Sequence, residues 1–155
     1  MVKVVKGNLI DAREDIIVHQ VNCHGVMGSG VALAIREKWP IVYKWYKKRC
    51  DAMKNLHMEE VLLGETHWCR VYDKWIVNLF GQLDYGRDGK QYTNYEALRR
   101  GLTDIADHAQ RYKESVAMPY GIGCGAGGGD WEGVVEPMIV DIFSAFGVDV
   151  TFYQL

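Results

Sequence analysis

The chain has 155 residues, 48% of them hydrophobic and 25% charged, with a formal net charge of −2. That size and composition fit one globular domain spanning 1–155 with one core, and the charge excludes broad electrostatic attraction to DNA or RNA, so no general nucleic-acid binding is expected. No apolar stretch approaches the roughly 18–20 residues that span a bilayer, and Met1-Val2-Lys3-Val4-Val5-Lys6 lacks signal-peptide features, so a cytoplasmic protein with no membrane partner is expected.

Val2 to Lys6 has β-branched strand character and is broken by Gly7-Asn8. Ile16 to Val21 is a second strand, so nearly apolar throughout that burial on both faces is expected. A helix follows from Val31 to Lys38, stopped by Pro40, and another from Ile41 to about Asn55. The second carries Lys44, Lys47, Lys48 and Arg49 among aromatic residues and reads as a solvated amphipathic face. Val61 to Trp68 and Cys69 to Tyr72 read as a pair of strands, with a turn at Asp73-Lys74 leading into a buried strand from Trp75 to Phe80. A polar, glycine-bearing stretch runs from Gly81 to Gln91. Thr93, with Glu96 three residues later, has the form of a capping box opening a helix to about Lys113. Ser115 to Met118 is a strand, Asp130 is the N-cap of a helix from Trp131 to about Ala145, and Asp149 to Gln154 is the last strand. Strands alternating with helices, with one antiparallel pair inserted, predict a three-layer α/β/α sandwich around a mixed central sheet.

Nine of the seventeen glycines lie in two loops, Asn22 to Gly30 and Gly121 to Asp130. Each follows a strand and precedes a helix, the geometry that points free backbone N–H groups at an anion. Glycine loses more backbone entropy on folding than any other residue, so clusters mark places where the backbone bends sharply or approaches another group closely. Ligands of open α/β sheets bind beyond the carboxyl ends of the strands, so both loops and the polar stretch should meet at one cleft. Neither loop carries the lysine of a Walker A motif. Gly123-x-Gly125-x-x-Gly128 matches the dinucleotide pattern but lacks the acidic residue that should follow. A metal-free, cofactor-free clamp for a diphosphate fits better. The four cysteines, Cys23, Cys50, Cys69 and Cys124, form no CxxC pair and read as free thiols. Cys23 and Cys124 sit inside the glycine loops, where small residues filling tight turns stand beside the alternative of a nucleophile.

Three runs together carry a resemblance: Gly7-Asn8-Leu9-Ile10, then Val21 to Ala32, then Pro119-Tyr120-Gly121-Ile122-Gly123-Cys124-Gly125 ahead of Asp130-Trp131. They resemble macrodomains, in particular the branch of ADP-ribose-1″-phosphate phosphatases and terminal ADP-ribose glycohydrolases with their phage and bacterial relatives. The ending Phe152-Tyr153-Gln154-Leu155 is similar as well. The resemblance implies ADP-ribose or a derivative as the small-molecule ligand. Asn8, Leu9 and Ile10 would lie by the adenine, with neutral Asn8 where many macrodomains have an aspartate, and with Asp11 as a substitute acceptor. Asn22, Gly25 and Met27 would hold the distal ribose. Gly28, Ser29, Gly30 and Val31 would face the phosphates from one side. Pro119, Gly121, Ile122, Gly123, Cys124, Gly125, Ala126 and Gly127 would form the opposite wall, where the amides of Gly123 to Ala126 face the phosphates.

Glycohydrolases of this resemblance use a lysine after the strand matching Trp75–Phe80 and an aspartate in the second glycine loop, where this chain has Gly81-Gln82 and Gly127. The phosphatase type does not need that lysine, so hydrolysis of ADP-ribose 1″-phosphate is the expected activity. Non-catalytic ADP-ribose binding and removal of ADP-ribose from protein or nucleic acid are the alternatives. His24 is the candidate general acid or base, with a structural turn residue as the other reading. Asp130 is a candidate to orient water, with its N-cap role as the other reading, and Arg87 on the polar stretch is a candidate partner for a terminal phosphate.

Overall fold

A computed structural model describes residues 1–155. Six strands form one sheet: β1 (Val2–Lys6), β2 (Ile16–Val21), β3 (Thr66–Val71), β4 (Lys74–Phe80), β5 (Val116–Pro119) and β6 (Val150–Gln154), in the order β1-β6-β5-β2-β4-β3. All neighbours are parallel except the β3–β4 hairpin. β2 lies near the centre, and Ile16, Ile17 and Val18 are fully buried, as its apolar run predicts.

Successive side chains of β2 point to opposite faces, and this divides the core. Ile16 and Val18, with Val77 and Leu79 of β4, pack against α3 (Tyr95–Tyr112) and α4 (Glu136–Phe146) through Leu98, Leu102, Ile139 and Phe143. Ile17 and Ile76 pack on the other face against Ile35 and Val42 of α1 (Gly30–Lys38) and α2 (Pro40–Asn55). The three-layer α/β/α sandwich is the architecture observed. No helix is long and apolar enough to cross a membrane.

Three local expectations are corrected. Val61 does not start a strand: Glu59–Leu62 is a 3-10 turn that drives Leu62 into the core, and Gly64, at φ 87°, turns the chain into a single strand β3. The hairpin then turns at Tyr72-Asp73, one residue early. The cap of α3 is Asn94, whose side chain accepts from the Ala97 amide at 2.9 Å, because Thr93 is buried and bonded elsewhere. The segment after Asp130 is not one α-helix. Asp130 caps it, accepting from Gly133 N at 3.0 Å, but Trp131–Val135 is a π-type turn before α4. Pro137 has no N–H to donate back to Gly133, so the preceding turn is released from the i→i−4 ladder.

Candidate functional site

The carboxyl ends of β2, β4 and β5 lie side by side, and a cavity of about 670 Å³ opens there. His19 and Gln20 of β2 contribute to its wall, together with the first glycine loop and start of α1, the second glycine loop, and Gln82, Tyr85, Gly86 and Arg87 of the polar stretch. The three segments predicted to converge do so.

Asn22 organises the first loop. Its Oδ1 accepts from the amides of His24 (2.9 Å) and Val26 (3.4 Å), and its Nδ2 donates to the Val26 carbonyl (2.9 Å). From α2, the buried Tyr46 hydroxyl donates to the Asn22 carbonyl at 2.7 Å and lies 2.9 Å from Oδ1. Burial pushes the Tyr46 hydroxyl pKa well above the usual phenol range, so it remains a donor. Gly25 adopts φ 80°, a left-handed conformation that favours glycine, and backs onto Cys50. Met27 is fully buried and anchors the loop in the core with Phe80 and Leu62. The loop ends at Ser29, which gives α1 no side-chain cap. The first amides of α1 also lack acceptors within the helix, and Gly30, Val31 and Ala32 line the cavity.

The second loop is folded on itself and bolted to the residues before α3. Cys124 N donates to Gly121 O (2.9 Å) and Gly129 N to Gly123 O (3.0 Å). Tyr92 N and Thr93 N both donate to Gly127 O, at 2.7 and 3.0 Å. A Cβ on Gly127 would lie 2.6 Å from Thr93 Oγ1 and 2.7 Å from Gly123 O, so the residue is glycine because the two strands of loop touch there. The amides of Gly123, Gly125 and Ala126 donate to no backbone carbonyl, and neither do those of Gly28 and Ser29. Two sets of uncommitted N–H groups thus belong to opposite sides of one cavity. Its wall holds no lysine, aspartate or glutamate, and Arg87 is its one permanent cation. The arrangement suits an anion.

Other expected residues fall outside the wall. Asn8, Leu9 and Ile10 form a 3-10 turn at the end of β1, where Asn8 Oδ1 accepts from Ile10 N at 3.2 Å and Lys38 Nζ donates to Ile10 O at 2.6 Å. Gly25, Met27 and Cys124 support the loops from behind; Cys124 Sγ packs against the loop's own backbone, 3.4 Å from Ile122 O. Burial pushes the Cys23 thiol up to about 12 and the Cys124 thiol up to about 11, which favours the small-residue reading of both over a nucleophile. His24 stands at the rim, its Nε2 2.7 Å from Asp84 Oδ1 and its ring edge-on to Tyr85. This pair ties the first loop to the polar stretch, as does Cys23 N donating to Leu83 O at 3.1 Å.

His19, Gln20 and Tyr120 are among the wall residues that were not anticipated. His19 is 1% exposed, with Nε2 2.6 Å from Asn78 Oδ1 directly across the β2–β4 register, and burial holds its pKa down at about 4. Since the Asn78 oxygen only accepts, Nε2 carries the proton and the ring is neutral. Gln20 donates from Nε2 to both Gln82 Oε1 and Thr93 Oγ1, each at 2.8 Å. Tyr120 stacks on Trp131, ring centroids 5.0 Å apart, and lines the cavity mouth. The polar pair His19-Gln20 inside an apolar strand was the available signal for the first two.

Comparison with known proteins agrees with this geometry. The chain is 29% identical over 162 residues to the DNA ADP-ribosyl glycohydrolase of Thermus aquaticus, an alignment covering 99% of this chain and 41% of that protein. It is 35% identical over 54 residues to the ADP-ribose 1″-phosphate phosphatase of Aspergillus oryzae, covering 34% of this chain and 27% of that protein. The chain therefore spans about two-fifths or less of the length of these two relatives. The solved macrodomain of Mycobacterium tuberculosis DarG superposes with a TM-score of 0.81 at 30% identity, covering 99% of this chain and 97% of that one. Residues 18–138 match the Macro domain family, and with both glycine loops inside that span the chain belongs to it.

Proposed function

We propose that the chain binds ADP-ribose derivatives in this cavity and hydrolyses ADP-ribose 1″-phosphate to ADP-ribose and phosphate. The observation that carries the reading is the pair of uncommitted amide sets on opposite sides of a cavity whose wall bears one cation and no carboxylate. Backbone amides of this kind can hold a diphosphate without a metal ion, and the hydrolase names of the relatives in Thermus aquaticus and Aspergillus oryzae support the activity class.

In the proposed reaction a water oxygen bonds to phosphorus while the bond from phosphorus to the 1″ oxygen breaks, and one proton of that water ends on the 1″ oxygen. The loop amides and Arg87 offset the phosphate charge. His24, a residue of the first loop held by Asp84 and edge-on to the wall residue Tyr85, is assigned the proton transfer. Asp130 is assigned the helix cap and no proton transfer, since it accepts from Gly133 N and is not among the residues that line the cavity. Phosphate release from ADP-ribose 1″-phosphate, measured for wild type and His24→Ala beside a calorimetric titration with ADP-ribose, tests the reading. Binding with release at least tenfold slower in His24→Ala is expected; binding without release reduces the function to an ADP-ribose module, and no binding removes both.

A second reading, removal of ADP-ribose from DNA or protein, is favoured by the alignment with the Thermus aquaticus relative, which takes in 99% of this chain although only 41% of that protein. Against it stand Gly81-Gln82 at the place where the glycohydrolase resemblance calls for a lysine, and Gly127 where it calls for an aspartate. Cleavage of ADP-ribosylated oligonucleotide by the wild-type chain would decide for it.

A further inference from the structure

A chain of hydrogen bonds runs along the cavity wall, and its direction follows from what each member can donate. The Gly123 carbonyl only accepts, so the one hydrogen of Thr93 Oγ1 goes to it, over 2.6 Å. The Thr93 oxygen is then left to accept from Gln20, which must present its amide nitrogen rather than its oxygen. The same nitrogen lies 2.8 Å from Gln82, so Gln82 turns its carbonyl oxygen toward Gln20. The Gln82 nitrogen is thereby forced outward. One of its hydrogens goes to the Asp84 carbonyl at 2.8 Å, and the other has no acceptor in the protein.

Packing holds this order in place. Gln20 Oε1 is buried and unpartnered, lodged over Gly81, where a Cβ would overlap it, and against Gly123, where a Cβ would come within 3.0 Å of it. Gln82 is also tied to the first loop, because its carbonyl accepts from Cys23 Sγ at 3.4 Å. Gln82 thus stands beside the first loop, with a spare N–H on a residue that lines the cavity.

We propose that Gln82 is a specificity-determining residue, donating this N–H to an oxygen acceptor of the group carried at the 1″ position of the distal ribose, and that Gln20 and Thr93 are positioning residues that set its orientation. This rests on the reading of the cavity as an ADP-ribose site with the distal ribose by the first loop. An anionic phosphate ester oxygen is the preferred acceptor class, because hydrogen bonds to charged groups are the stronger ones. A neutral amide reads such a group without forming a covalent bond to the ribose.

Calorimetric titration of the intact chain with AMP and ADP-ribose and, in a His24→Ala background so that the ester is bound without turnover, with ADP-ribose 1″-phosphate tests this. In Gln82→Ala, affinity for ADP-ribose 1″-phosphate is expected to fall about tenfold, the effect of one hydrogen bond to a charged acceptor, with AMP unchanged. Gln82→Glu keeps the shape but replaces the donor with a charged oxygen, so its loss should be larger and equally selective. Gln20→Leu should weaken ADP-ribose 1″-phosphate selectively, and adding Gln82→Ala to it should cost little more, since both remove one oriented donor. Equal losses for all three ligands, no loss, or full additivity would overturn the assignment. Wild-type binding of ADP-ribose separately decides the underlying reading: if it is absent, the site itself is wrong, whereas if it is present without selectivity in Gln82→Ala, only the role of Gln82 is wrong.

Discussion

Tyr46→Phe isolates the support that α2 gives to the first glycine loop. The ring stays, packed on Phe80 with centroids 5.8 Å apart, and only the hydroxyl is lost. That hydroxyl has one hydrogen, given to the Asn22 carbonyl at 2.7 Å, and Asn22 Oδ1 keeps the His24 amide in any case. The change therefore leaves one buried carbonyl without a partner, a loss of about 1–2 kcal/mol. For a chain of this length that corresponds to a fall in Tm of roughly 3–6 °C. Thermal and urea melts measure the stability, and calorimetry with ADP-ribose and AMP measures the site. Because Asn22 sets the course of the loop to Gly28, ADP-ribose affinity should drop several-fold while AMP affinity holds. A variant as stable as wild type with unchanged ADP-ribose affinity would refute the claim that α2 positions this loop.

Gly127→Ala should reduce stability by about 1–3 kcal/mol through overpacking against Thr93 and the Gly123 carbonyl, and should lower ADP-ribose affinity at least tenfold by spreading the second loop; a variant that melts and binds as wild type does would show that the contact is slack. Burial raises all four thiols, Cys23 to about 12 and Cys50 and Cys124 to about 11, so at pH 8 the thiolate fraction of these three is about a thousandth or less, and a disulfide reagent should label the native chain far more slowly than the denatured one. Rapid labelling of Cys124 alone would mark it as reactive after all. His19 takes up its proton near pH 4 when folded and near 6.5 when unfolded, so its contribution is complete above pH 6.5 and is lost as pH falls toward 4, by roughly 3 kcal/mol at most. His19→Gln should flatten the dependence of stability on pH across that window, and an unchanged slope would show that the buried ring does not govern it.

The layers and most elements were legible because apolar periodicity reports burial directly, and the convergence of three distant segments followed from where parallel strands end. What local pattern does not contain is the partner of a polar side chain. Thr93 and Asn94 are both good capping types, and nothing in their neighbourhood says which is used. The choice is made thirty residues away by the Gly123 carbonyl, which draws Thr93 inward and leaves the cap to Asn94. Gly127 was noted for the carboxylate it lacks, whereas the structure gives it a steric reason: a side chain there would strike Thr93 and Gly123. The π-type turn after Asp130 was likewise hidden, because the effect of Pro137 depends on which carbonyl its missing N–H would have met.

The same contacts bear on the chemistry proposed for the cavity. An amine at position 82 would face Gln20, whose amide nitrogen is already oriented by Thr93 and has no lone pair to offer. Gln20 would have to turn its oxygen outward, and the Thr93 oxygen would then lose its donor. An acidic side chain at position 127 would displace the loop from Thr93. Glutamine at 82 and glycine at 127 are therefore parts of one packed arrangement with Gln20, Thr93 and Gly123. That arrangement gives the cavity a fixed neutral donor and a tight set of loop amides, which favours reading and holding a phosphate group over covalent attack on the ribose.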